Sequence, residues 1–253
     1  MNLFSRIWNS SLGKKYIMAV TGFALFLFVL GHMIGNLQVF LGPEAINRYG
    51  AFLQGLGELL WGVRLALLAI VVLHIVSAVR LTAENRAARE QGYEVYKPVG
   101  STYASRTMMM SGLIILAFII YHLLHFTVQN TAINLTGKNF VDMHDEKGRH
   151  DVFAMMITGF RQPIVSLFYI VAMALLCLHL SHGVSAMFQS LGWKKTYYKP
   201  LLDKGAKLIA LLIFLGYVSI PIGILLGYGK SYVEKLPTPG PTAAEFAPTG
   251  GAR

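Results

Sequence analysis

Four histidines stand in stretches that are otherwise almost pure hydrocarbon: His32 in TGFALFLFVLGHMIGN, His74 in VVLHIVSAV, His122 in SGLIILAFIIYHLLHF and His179 in LLCLHLSHGV. An imidazole in hydrocarbon is costly unless something takes its lone pair or its proton. Neutral imidazoles facing one another are what a b-type haem iron needs. The porphyrin supplies the equatorial nitrogens, and each histidine fills an axial position without adding charge. The plainer reading is a helix–helix hydrogen bond, which any one of the four could make. Four histidines on four successive apolar runs favour ligation.

The elements that must position them are membrane spans. The chain has 253 residues, 55% hydrophobic and 13% charged, with a mean hydropathy of +0.53. A soluble domain of this length carries about 25% charged residues. Apolar runs at 16–41, 61–83, 107–130, 163–191 and 205–228 each approach or exceed the roughly 20 residues needed to cross a bilayer core. The expected architecture is all-α, a five-helix integral membrane bundle holding two haem b groups between helices. Residues 16–228 form this domain, after an interfacial segment at 1–15 and before a disordered tail at 229–253 rich in Pro, Gly and Ala. Lys and Arg number 13 on the side of the amino terminus and 9 on the other, which places the amino terminus in the cytoplasm. The net charge of +10 is therefore a topology signal, and no nucleic-acid partner is expected. The single cysteine, Cys177, and the absence of CxxCH exclude a disulfide framework and covalent haem attachment.

Helical rise sets the depth of each imidazole. His32 and His122 lie roughly 24 Å and 23 Å from the cytoplasmic starts of their spans, and His74 and His179 about 20 Å and 24 Å from their outer starts. The four therefore fall into an outer pair, His32 with His122, and an inner pair, His74 with His179. An internal echo accompanies them. Spans one and three share a hydroxyl–glycine pair with a histidine eleven residues after the hydroxyl, Thr21-Gly22…His32 and Ser111-Gly112…His122. Spans two and four share a small residue four positions after the histidine, Ala78 and Gly183.

His125 and His182 each follow a proposed ligand by three residues and could replace it, although the shared registers favour His122 and His179. Gly31, Gly35, Ala78 and Gly183 would let a flat macrocycle approach, although Gly31 and Gly35 also form a small-xxx-small packing pair. Lys14, Lys15, Arg80, Arg106 and Ser190 at the inner face, and Arg64 and Arg161 at the outer, are candidate propionate partners. His144 and His150 read as loop histidines, Met108–Met110 as packing, and span five, with Pro221 and Gly223, as a kinked structural helix.

The motifs GHMIGN, LHIVSAVRL, SGLIILAFIIYH and LHLSHG…SLGW, in that order, resemble the five-helix cytochrome b anchors of succinate dehydrogenases and fumarate reductases. More narrowly, they resemble the single-subunit, two-haem, menaquinone-linked type, over roughly residues 15–228. The resemblance implies axial ligands at His32 and His122 for a distal haem and at His74 and His179 for a proximal one. It also implies a bacterial cytoplasmic-membrane location, a flavoprotein subunit with FAD, and an iron–sulfur subunit on the cytoplasmic face. A quinone site near the distal haem is implied as well, for which Glu44, Glu58 and His125 are the candidates here. A cytochrome b of a hydrogenase or formate dehydrogenase, or a haem-free scaffold or proton relay, is the alternative.

Overall fold

A computed structural model describes residues 2–88 and 101–236. Within them the chain forms α1 (Leu3–Asn9), α2 (Ser11–Leu37), α3 (Pro43–Gly55), α4 (Glu58–Ala87), α5 (Tyr103–Arg106), α6 (Met108–His122), α7 (Thr131–Asn134), α8 (Val152–Phe160), α9 (Pro163–Ser190), α10 (Lys199–Leu225) and α11 (Lys230–Glu234). Among the described residues there is no strand, only an isolated antiparallel bridge between His144 and His150. Five helices are long and apolar enough to cross a membrane: α2 with its 3-10 extension to Leu41, α4, α6 with its extension to Thr127, α9 and α10. Their outward side chains, Leu27, Leu68, Leu113, Leu167 and Leu212 among them, are exposed, which suits a lipid surround.

The spans outrun the apolar stretches that announce them. Ser10 accepts a hydrogen bond from Gly13 N and starts α2 at Ser11, so residues 11–15 are its first turns. The second span continues past 83 through charged residues to Ala87, because Arg and Glu are good helix formers once the chain leaves hydrocarbon. The fifth begins at Lys199 and runs through Pro221. At the other end, residues 230–234, placed in the tail by composition, form α11 with Val233 buried. Residues 237–253 of that tail lie outside the described residues, as do Arg89 and Lys97 of the second connection.

α9 packs against α10, α2 and α6, while α2 also packs against α4 and α10. α2 and α6 each touch both α4 and α9. The result is a four-helix ring in which α2 stands opposite α6 and α4 opposite α9, with α10 outside. Successive spans alternate in direction, which gives the bundle two ends. One, the basic end, collects the amino terminus and the connections after α4 and α9. There buried Lys14 bonds the Trp8 carbonyl (2.9 Å) and Glu84 (3.0 Å), tying α1, α2 and α4 together.

The opposite end is capped. α8 is too short to cross a membrane, yet eight of its nine residues are buried. Asp151 is its N-cap, accepting from Ala154 N. Asp151 also accepts from Asn47 Nδ2 of α3 (3.0 Å) and from the Tyr232 hydroxyl (2.9 Å), and Asn47 Oδ1 accepts from Phe153 N. Each buried polar atom of this cluster is thereby satisfied, as burial demands. The larger apolar core lies beneath it, with Phe118, Phe160, Tyr169, Val218 and Ile224 packed against Phe153 and Ile157.

Candidate functional site

The ring brings the four histidines together in two diagonal pairs. Eleven residues are close to three full helical turns, so Thr21 and His32 share one face of α2, and Ser111 and His122 one face of α6. Both faces point into the ring. At the upper level, toward the cap, the His32 and His122 rings are 5.7 Å apart between centres and nearly perpendicular, at 83°. Two imidazoles bound to one metal at about 2 Å each would have ring centres roughly 6 Å apart. His32 stacks on Phe28 (5.3 Å) and lies by Tyr217 (6.3 Å), and its ring nitrogens have no hydrogen-bond partner among the described residues.

At the lower level the hydroxyl–glycine pairs reveal their role. Thr21 Oγ1 is 3.1 Å from His74 Nδ1, and Ser111 Oγ is 3.2 Å from His179 Nδ1. Each hydroxyl has one proton, and each directs it to its own helix: Thr21 to the Ile17 carbonyl (2.6 Å), Ser111 to that of Met108 (3.1 Å). With the hydroxyl proton on the helix carbonyl, the hydroxyl oxygen accepts from an imidazole Nδ1–H. In that tautomer Nε2 of both keeps its lone pair. Gly22 eases the tighter of the two approaches, while the Gly112 contact is of ordinary length. A Cβ on Gly22 would stand 3.2 Å from His74 Cε1, and one on Gly112 would stand 3.5 Å from His179 Cε1. The echo between odd spans is thus a pair of seats for histidines on even spans. Since Thr21 and Ser111 lie eleven residues from His32 and His122, the two levels are about 16 Å apart along the helices.

His122 Nδ1 is 3.3 Å from the Tyr169 hydroxyl, and His125 Nδ1 is 3.0 Å from the same oxygen. The two histidines are brought to one hydroxyl by a π-helical turn, Leu123–Thr127, which follows α6 and ends in left-handed Gln129. Such insertions often mark functional sites. The four proposed ligands are half-buried, whereas His125 is fully enclosed and its Nε2 has no partner among the described residues. An enclosed ring cannot reach a flat group between helices, so geometry favours His122 over His125. His182 is half-buried one turn beyond His179, near the end of α9 where Lys194 bonds Asp203 (2.5 Å) and Ser185 (2.6 Å).

Room beside the pairs is uneven. A Cβ on Gly31 or Gly183 would meet nothing within 4 Å, whereas one on Gly35 would collide with the Tyr49 ring at 2.8 Å. Gly35 is therefore a packing site for α3, Gly31 faces the outer surface, and half-buried Gly183 borders open space one turn from His179. α4, which carries His74, is the least enclosed span, with none of its apolar window buried. Two half-buried imidazoles per level are the donor set that a bis-imidazole haem would need, and at the capped level their ring centres already stand 5.7 Å apart. Among the described residues, no three His, Cys, Asp or Glu side chains converge as a metal-ion site.

The carboxylates sit elsewhere. Glu44, at the start of α3, pairs with Arg149 (2.7 Å) and Lys147 (3.0 Å) on the capped surface. Hydrogen bonds from Arg149, then from Lys147, hold its carboxyl down at about 2. Glu58 is exposed in the first turn of α4. Neither touches His32 or His122. Among the candidate cations, Lys14 is committed to Glu84, Arg161 lies 3.8 Å from Glu234, Arg106 bonds the Ser101 carbonyl, and Arg80 and Arg64 lie over Trp8 and Trp61.

Residue types alone missed Tyr169, the shared partner of His122 and His125, and the Asn47–Asp151 cluster. An Asp directly before the apolar run VFAMMITGF is a helix-start signal that could have located α8. No family model matches the chain, and no curated protein or solved structure matches it.

Proposed function

We propose that this chain is a dihaem cytochrome b membrane subunit, with His74 and His179 as axial ligands at the basic end and His32 and His122 toward the cap. The supporting observation is the diagonal pairing of the imidazoles, with the Thr21 and Ser111 hydroxyls against Nδ1 of His74 and His179, a contact that suits Nδ1–H tautomers with Nε2 open to a metal. A bis-imidazole haem supplies a one-electron centre closed to oxygen and substrate, so its chemistry is electron transfer. The chain's own part is to hold the imidazoles neutral, oriented and screened from water at two depths.

The finer reading follows the motif resemblance: the membrane anchor of a bacterial succinate:menaquinone oxidoreductase or fumarate reductase. A flavoprotein and an iron–sulfur subunit would sit on the basic, cytoplasmic end, and menaquinone would exchange near the cap. Quinone reduction takes up protons and quinol oxidation releases them. A site on the outer side therefore links the reaction to the membrane potential unless another proton path compensates.

The Tyr169 hydroxyl between His122 and His125 favours one rival, a haem-free proton relay. A reduced-minus-oxidised spectrum of the purified chain separates the two. An alpha band with two haem equivalents per chain is the expected result, and its absence leaves the relay standing. Purifying the intact complex and measuring succinate-dependent quinone reduction tests the finer reading. Nickel or molybdenum partners would instead point to a hydrogenase or formate dehydrogenase.

A further inference from the structure

We infer that Thr21 and Ser111 are positioning residues that fix His74 and His179 as Nδ1–H tautomers and thereby set the reduction potential of the basic-end centre separately from the capped-end one. This rests on the haem reading above. The contacts cross between helices 53 and 68 residues apart in sequence, so they belong to the assembled ring and not to either helix alone. Each hydroxyl is buried and its proton is committed to a backbone carbonyl. With its proton there, the hydroxyl acts on the imidazole as an acceptor, beside the Met18 carbonyl that also bonds His74. An acceptor on Nδ1–H makes the other ring nitrogen a stronger electron donor, and a stronger axial donor favours the oxidised iron. The capped-end pair lacks this arrangement. His32 has no ring hydrogen bond among the described residues, and His122 shares its one hydroxyl with His125.

Thr21→Val keeps the branched shape and removes the acceptor, and Ser111→Ala does the same on the other side. In a potentiometric titration of the purified chain followed by haem absorbance and electron paramagnetic resonance, each variant raises the potential of one haem and leaves the other in place. The expected displacement is on the order of a tenfold change in the oxidised-to-reduced ratio, which is 59 mV for a one-electron couple. Thr21→Ser retains the hydroxyl and keeps the parent potential. Loss of one haem from Thr21→Val that serine restores also supports the role, whereas loss that serine does not restore overturns it. Should the parent chain hold two haems while both variants keep both potentials and both g-value sets, the hydroxyl role fails and the haem reading survives. A parent chain with no haem overturns both.

Discussion

The two ends of the ring solve the same problem differently. At the basic end the imidazoles are seated against bare backbone, one glycine and one hydroxyl apiece. At the capped end the imidazoles lie among rings, with Phe28, Phe118, Tyr169 and Tyr217 around them, under a sealed lid built on α8. The first arrangement fixes tautomer and orientation by hydrogen bonds. The second relies on packing and leaves the proton on the Tyr169 hydroxyl with two possible takers. Specific polar contacts in a low-dielectric interior are stiff, and aromatic packing is more tolerant. The basic end should therefore be the more sensitive to single-atom changes and the capped end the more sensitive to loss of bulk.

The largest effect should come from deleting a ligand. His179→Ala is expected to remove the basic-end haem and His122→Ala the capped-end one, each leaving about one equivalent by haem counting. Loss of both from either variant would mean that the levels are not independent. Next comes the lid. Asp151→Ala leaves the Asn47 amide, Ala154 N and the Tyr232 hydroxyl without their acceptor, at a cost of about 3 kcal/mol for buried groups of this kind. Thermal unfolding and proteolysis of the capped loops would register it, with the basic-end spectrum changed less.

Glycine substitutions sharpen the contrast further. Gly22→Ala presses on His74 at 3.2 Å and should lower basic-end haem retention several-fold. Gly183→Ala meets no protein atom within 4 Å. It should leave thermal stability unchanged and still reduce haem retention, because the added methyl enters the space a macrocycle would take. Unchanged haem content in Gly183→Ala would put the macrocycle elsewhere.

The smallest expected effect is that of pH on the cap. His150 lies low in its range because burial disfavours its charged form. The unfolded chain then binds more protons below its ordinary value of 6.5, so stability falls as pH drops through that region. Glu44 is depressed to about 2, so its contribution holds above the ordinary carboxyl value and fades as pH falls toward that figure. Glu44→Gln should flatten the acid limb of an unfolding-versus-pH curve slightly, since exposed pairs are weak. A limb that does not change leaves the acid sensitivity with the other shifted groups of the cap, His150 and Asp145.

Much of this was legible beforehand where it depended on local periodicity. Apolar run length located the five spans, although capping at Ser10 and the helix propensity of charged residues moved their ends. The repeated Thr-Gly and Ser-Gly registers were visible as an echo, but nothing in one helix tells which neighbour a side chain seats. The contacts of Glu44 were equally hidden, because Lys147 and Arg149 lie more than a hundred residues away.

Composition and spacing by themselves determined that this chain has five segments long and apolar enough to cross a membrane, with four imidazoles at two levels along them, because hydrophobic length and helical rise are one-dimensional quantities. Only the tertiary structure decided which side chain meets each ring nitrogen, that His125 is enclosed while His122 is half-open, and that α8 folds back as a lid. Those outcomes depend on which atoms of distant helices share space, and that is a property of the packed bundle.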